Sequence, residues 1–175
     1  NILDFERFGI KSHIHQRKEL HNSILIGLRL EGPLFSGKLT TYSNIGIDIN
    51  LKSSVELEPE FLEYNSLYPN LAGISVLCMK QEEIFAEKVR ALITRVRSRD
   101  LFDLNFLLMR DIHADKKLIV KKMGYYNKEF SLNELISKIK LLNKKWKSEL
   151  AGFTSTIPDF NQISKETIKT LKKYY

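Results

Sequence analysis

Apolar and polar positions change rhythm near residue 80. Before it, residues 44–51 (NIGIDINL) alternate strictly: Ile45, Ile47, Ile49 and Leu51 share one face, while Asn44, Gly46, Asp48 and Asn50 share the other. That period of two predicts a strand with Asp48 on its polar side. Residues 21–30 (HNSILIGLRL) are β-rich and are interrupted by Gly32-Pro33, a second strand closed by a turn. Residues 72–79 (AGISVLCM) are continuously apolar, which predicts a short strand covered on both faces. The opening DFERFG reads as the end of a helix stopped at Gly9.

After residue 80 the spacing becomes helical. EEIFAEKVRALITRV, RDLFDLNFLLMR and SLNELISKIKLLNKKWKSEL predict three helices. The last has the Ser131/Glu134 capping-box spacing and a buried face of Leu132, Leu135, Ile136, Ile139, Leu142 and Trp146. DKKLIVKKMGYYNKEF predicts a helix and then a loop near Gly124, and SKETIKTLKKYY a short basic helix. The expected fold class is α+β: a partial mixed β-sheet with packed helices, followed by a C-terminal helical region. The expected division is a β-rich part over residues 1–80 and a helical part over 81–175.

The helix opening this second half carries charge beside its apolar stripe. At about 100° per residue from Ile84, the side chains of Phe85, Val89, Leu92 and Val96 fall in an arc about 60° wide, with Lys88, Arg95 and Arg99 along one edge. In an unbroken helix Asp103 points into that arc and Asp100 sits beside its far edge. A buried unpaired carboxylate costs several kcal/mol, of order 3 to 5. Either the aspartates pair with the neighbouring cations, or the helix breaks near Ser98 and a second helix carries them into a cleft.

Composition narrows the setting. A chain of 175 residues, 43% hydrophobic, is long enough for a real core. The single cysteine, Cys78, excludes an internal disulfide framework and Cys-rich zinc patterns, and fits a reducing cytoplasm. No apolar stretch reaches the roughly 20 residues of a membrane span, and NILDFERF lacks signal-peptide order. The net charge of +7 is uneven. Residues 1–109 hold 13 Lys/Arg against 14 Asp/Glu, and residues 110–175 hold 15 against 7. A basic back half either presents solvated lysine-rich faces, the commoner case on charge alone, or meets a polyanion, RNA rather than membrane, with Lys138, Lys144, Lys145 and Lys147 as the candidate contacts.

The run EEIFAEKVRALITRVRSRDLFDL resembles the signature of the AbiEii/AbiGii toxin-type nucleotidyltransferases, part of the polymerase-β-like superfamily. Glu87 and Lys88 open the motif, Ala91-Leu92 and Arg95 follow, and Arg99-Asp100-x-x-Asp103 begins the next helix. Upstream, Gly32-Pro33-Leu34, then Ile47-Asp48-Ile49, then a tyrosine-containing stretch follow the family's order, so the resemblance covers roughly residues 9–110. It implies transfer of a nucleoside monophosphate from a nucleoside triphosphate to an acceptor, with Mg²⁺ ions held by strand carboxylates. By this resemblance Asp48 is a metal ligand or base and Lys88 contacts the triphosphate. Arg95 and Arg99 belong to substrate binding. Asp100 and Asp103 orient the cations, with Asp103 nearer the helix's inner face. The implied role is a toxin of a toxin–antitoxin or phage-defence pair, acting on RNA with the tRNA acceptor end as target and a cognate antitoxin as partner.

One family feature is missing. The first motif, a Gly-Ser followed after some ten residues by Asp-x-Asp or Asp-x-Glu, has no match here; Asp4 lacks the Gly-Ser, and Asp48-x-Asn50 lacks the second carboxylate. The chain is then either an N-terminally truncated nucleotidyltransferase, inactive alone, or a degenerate relative: a non-catalytic RNA- or protein-binding module. Other signals are weaker. Ser12-His13-Ile14-His15 puts two histidines on one face of a possible strand without a third zinc ligand, and Ser36-Gly37-Lys38 lacks the first glycine of a phosphate loop. Tyr64, Tyr68, Tyr125, Tyr126, Tyr174 and Tyr175 are of a type that stacks on bases, although aromatics beside turns more often seal a core.

Overall fold

The computed structural model describes residues 9–65 and 73–175. The helix end expected at DFERFG, Asp4 and Tyr68 lie outside them. The chain divides into two compact units, residues 1–54 and 55–175. The compositional boundary at residue 80 falls inside the second unit, because a hairpin belongs with the helices.

The first unit is an antiparallel sheet in the order β1 (Lys11–Leu20), β2 (Ser23–Glu31), β3 (Ser43–Asn50). The charged sequence KSHIHQRKEL suits β1 to an edge, where Lys and Arg discourage further pairing. The apolar SILIGLRLE lies between its two neighbours and buries Leu28 and Leu30. A bulge interrupts β1 between Ile14 and Gln16, and His15 turns against β2. A Cβ on Gly27 would stand 2.7 Å from His15 Nε2, so a larger residue there would push that exposed ring aside. His13 instead meets Tyr42 edge-on, with centroids 5.5 Å apart.

The second unit begins with the hairpin β4 (Glu60–Tyr64) and β5 (Ile74–Cys78), antiparallel, with Phe61 opposite Leu77 and Leu62 opposite Val76. The strand expected at AGISVLCM is present as β5, but its covering is not. Among the described residues only β4 pairs with it, and Ile74, Val76 and Leu77 are exposed. A continuous apolar run records two apolar faces; it does not supply the layers that cover them.

Six helices follow: α1 (Gln81–Thr94), α2 (Ser98–Met109), α3 (Lys116–Gly124), α4 (Leu132–Leu141), α5 (Trp146–Leu150) and α6 (Phe160–Tyr174). They enclose one core centred on Phe85, Val89, Leu92, Leu101, Leu104, Ile119, Met123, Leu135, Ile139 and Trp146. Ser131 accepts the Glu134 N–H, Asp159 accepts the Gln162 N–H and Asp115 accepts the Lys117 N–H, capping α4, α6 and α3. The single helix expected over SLNELISKIKLLNKKWKSEL is split by a 3₁₀ turn at Leu142–Lys145. There Lys145 Nζ donates to the Val96 carbonyl, and Trp146 Nε1 donates to the Pro158 carbonyl at 2.8 Å. Those two tertiary bonds leave no trace in local periodicity.

Candidate active site

The helix carrying the signature ends at Thr94, and the next starts at Ser98. Between them Val96 sits at φ 50°, a region costly for a β-branched residue, and Arg97 returns to extended geometry. The corner is held from outside the two helices. Lys145 binds the Val96 carbonyl, and Glu149 Oε2 accepts the Ser98 N–H at 2.7 Å, capping α2 from α5. Burial alone would raise the Glu149 carboxyl, but hydrogen bonds from Ser98 and Lys145 hold it below the ordinary carboxylate range.

Both alternatives posed by the helix charges hold together: the helix breaks, and the aspartates are paired. Asp100, completely buried, receives the Arg95 guanidinium through two bonds, Nε at 2.8 Å and Nη2 at 2.7 Å. Lys88 Nζ lies 2.6 Å from Asp103 and 3.5 Å from Asp100. The Asp100 hydrogen bonds, the largest influence on Arg95, raise its pKa further, so that cation is permanent. The expectation that Asp103 is nearer the inner face rested on an unbroken helix. With the break, Asp100 points inward, while the Asp103 side chain is 43% exposed. Lys88 is 24% exposed, at the rim of the group. Two cations and two carboxylates make it electrically balanced.

Behind Lys88, the same helix is locked by charges that periodicity did not single out. Glu83 and Lys122 are both fully buried and paired. Glu83 also accepts the N–H groups of Glu56 and Leu57, at 2.7 and 2.8 Å. Burial is the largest influence on Glu83 and would raise it; the hydrogen bonds from Lys122, Leu57 and Glu56 together bring it below the usual range. Lys122 reaches Glu87 at 3.2 Å, Glu87 pairs with Arg90 at 2.8 Å, and Arg90 lies 4.2 Å over the Tyr126 ring. The available signal was Lys122 one turn after Ile119, on the inward face of α3.

Residues 14–170 match the family described as Nucleotidyl transferase AbiEii toxin, Type IV TA system. The chain belongs to this family. No curated protein and no solved structure gives a match. AbiEii membership gives the chain a nucleotidyltransferase-like, toxin–antitoxin character, and with it a nucleotide as the general substrate class and an antitoxin as the general partner.

Nucleotidyltransferases of this kind generally use a divalent metal, which the described residues do not accommodate as a pair of ions. Among them no three His, Cys, Asp or Glu side chains converge as a metal cage. Asp48 stands on exposed β3 opposite Leu25 and lines a shallow depression with His15, Gln16, Asn44 and Gly46. It belongs to the first unit, whereas Lys88, Arg95, Asp100 and Asp103 form one cluster in the second. Arg99 is outside that cluster, its guanidinium 6.0 Å over the Phe153 ring.

The candidate RNA lysines differ from one another. Lys144 and Lys147 border a groove of about 490 Å³ with Trp146, Asp159 and Phe160, and Lys138 is half-buried on α4. Lys145 is committed to Val96 and, at 3.2 Å, to Glu149. Of the tyrosines, Tyr125 donates to Glu56, Tyr174 to Asp111 at 2.7 Å, and Tyr175 to the Ala114 carbonyl, so they fasten loops of the helical unit. Among the described residues no helix is long and apolar enough to cross a membrane.

Proposed function

We propose that this AbiEii protein is the nucleoside-triphosphate- and RNA-handling part of a nucleotidyltransferase toxin, with the tRNA acceptor end as target and a cognate antitoxin as its restraint in the cytoplasm. The observation that carries the reading is Lys88, held at a rim between Asp103 and buried Asp100, within the span that matches the family and in the run that resembles its signature. Phosphoryl transfer depends on positioning and electrostatic stabilisation more than on a reactive side chain. A lysine fixed by two carboxylates is pre-aimed at a phosphate, and Arg95 serves by keeping Asp100 in place. Arg99 contributes charge to the substrate surface, and Lys138, Lys144 and Lys147 extend it along the RNA.

Asp48 is the strand carboxylate of this reading, a Mg²⁺ ligand or the base for the acceptor hydroxyl. One carboxylate holds Mg²⁺ weakly, because the ion wants six oxygens in near-octahedral order. Transfer therefore needs a segment with the Gly-Ser and Asp-x-Asp carboxylates that these 175 residues do not include. Incubation with labelled nucleoside triphosphates, Mg²⁺ and total tRNA tests this. Residues 1–175 are expected to leave the RNA unlabelled, and the same chain preceded by such a segment to label it. Robust labelling by the short chain would refute the account of the missing motif. Labelling by neither, with RNA binding intact, would favour the second reading, a non-catalytic RNA-binding module; its support is the basic back half together with the single strand carboxylate.

A further inference from the structure

Beyond the α1–α2 corner lies a notch of about 250 Å³ lined by Arg97, Arg99, Glu149 and Phe153. Its charge differs from that of the Lys88 group. Glu149 spends one oxygen on the Ser98 N–H and the other on Lys145 at 3.2 Å and Arg97 at a long 3.4 Å. Arg97 and Lys145 thus share one carboxylate oxygen, and Arg99, also at the notch, pairs with no carboxylate among the described residues. Phe153 is 69% exposed on the turn after α5, its N–H bound to the Leu150 carbonyl at 2.9 Å. The ring therefore adds little to the core. An exposed aromatic ring with one guanidinium 6.0 Å over one side and a second in the same notch leaves its other face for a flat base with charge beside it for a phosphate, the repeating unit of a single-stranded nucleic acid.

We infer that Phe153, Arg97 and Arg99 form a subsite for one nucleotide of single-stranded RNA, the base stacked on Phe153 and the adjoining phosphate held by the arginine forks. The inference rests on the reading that the chain acts on RNA, and names where it holds the strand. Stacking tolerates any base, so the subsite grips without selecting sequence. The phosphate contact is electrostatic and answers to salt. Stacking and salt dependence therefore separate by mutation.

The test is fluorescence anisotropy of a labelled single-stranded oligoadenylate with the full chain, read at several salt concentrations. Phe153→Ala should weaken binding about tenfold without changing the salt slope. Phe153→Trp should bind at least as tightly, with its indole emission quenched by the RNA. Arg97→Gln with Arg99→Gln should flatten the log-log slope by about 0.7 or more. All three side chains are at the surface, and unchanged melting of each variant confirms the fold. Undiminished affinity of Phe153→Ala, with lysine variants still weakened, would overturn the subsite and leave the RNA reading standing. Equal affinity for polyglutamate would reduce the patch to plain charge and overturn it as well. No binding by the unmodified chain would overturn both.

Discussion

Replacing Asp100 by alanine removes the carboxylate on which the signature cations converge. It takes away two short bonds to Arg95, at 2.8 and 2.7 Å, and the longer approach of Lys88 at 3.5 Å. Breaking a fully buried ion pair costs about 3 to 5 kcal/mol, because the survivor is left as an uncompensated buried charge. Here the survivors are better placed: the Arg95 side chain is 46% exposed, and Lys88 retains Asp103. The expected loss is therefore smaller, about 2 to 3 kcal/mol. Asp103→Ala removes a half-exposed pair, worth about 0.2 to 1 kcal/mol. With a urea m-value of about 2 kcal/mol/M, Asp100→Ala should lower the unfolding midpoint by about 1 to 1.5 M, and Asp103→Ala by at most about 0.5 M. Asp100→Asn should lose nearly as much as alanine, since its amide turns a donor toward the guanidinium. A double-mutant cycle with Arg95→Ala should give a coupling of about 1 kcal/mol or more. An Asp103→Ala midpoint shift equal to or larger than that of Asp100→Ala would refute the assignment of the buried role.

Lys88→Ala, which leaves Asp100 with Arg95, should cost less than about 1 kcal/mol in urea melts yet abolish nucleotide transfer in a chain that also carries the Asp-x-Asp segment. Lys122→Met strands Glu83 in the core and should cost about 3 to 5 kcal/mol by thermal unfolding; adding Glu83→Gln should recover part of that loss. Glu83 and Glu149 have carboxyls held below their ordinary range, so their stabilisation is present above the unfolded value of about 4.3 and is lost as pH falls through the lower folded values. The midpoint difference between the unmodified chain and Glu149→Gln should accordingly shrink between neutral pH and about pH 3. Tyr175, raised to about 12 mainly by burial, favours the fold below about pH 10 and gives up that contribution as pH rises to about 12; Tyr175→Phe should flatten the alkaline decline in melting temperature.

The helices were legible because their stripes are local: Leu135, Ile139 and Leu142 repeat at the right intervals, and Ser131 announces the start of α4. The strand at Ile45–Ile49 was legible for the same reason. The break near Ser98 was legible too; what the pattern lacked was which aspartate beyond it turns inward, Asp100. A projection that continues a helix by one turn too many rotates each later residue to the wrong side. The partners of Glu83 and Ser98 were equally hidden, since Lys122 and Glu149 lie far along the chain and their charges look like those of any solvated lysine-rich helix. Charge near an apolar stripe marked the ion-pair cluster of Lys88, Arg95, Asp100 and Asp103; only packing decided which charges face in.

The cap on α2 has a consequence for the order in which this protein is made. Glu149 meets Ser98 across 51 positions of sequence, and Lys145 meets Val96 across 49. A chain emerging from the ribosome at about 5 to 20 residues per second exposes Lys88, Asp100 and Asp103 several seconds before the residues that hold their corner. During that interval the strained turn at Val96 lacks its clamp, and α2 lacks its external cap. In a nascent copy, therefore, the corner that carries the Lys88 and Asp100 cluster cannot be clamped before Lys145 and Glu149 have been synthesised.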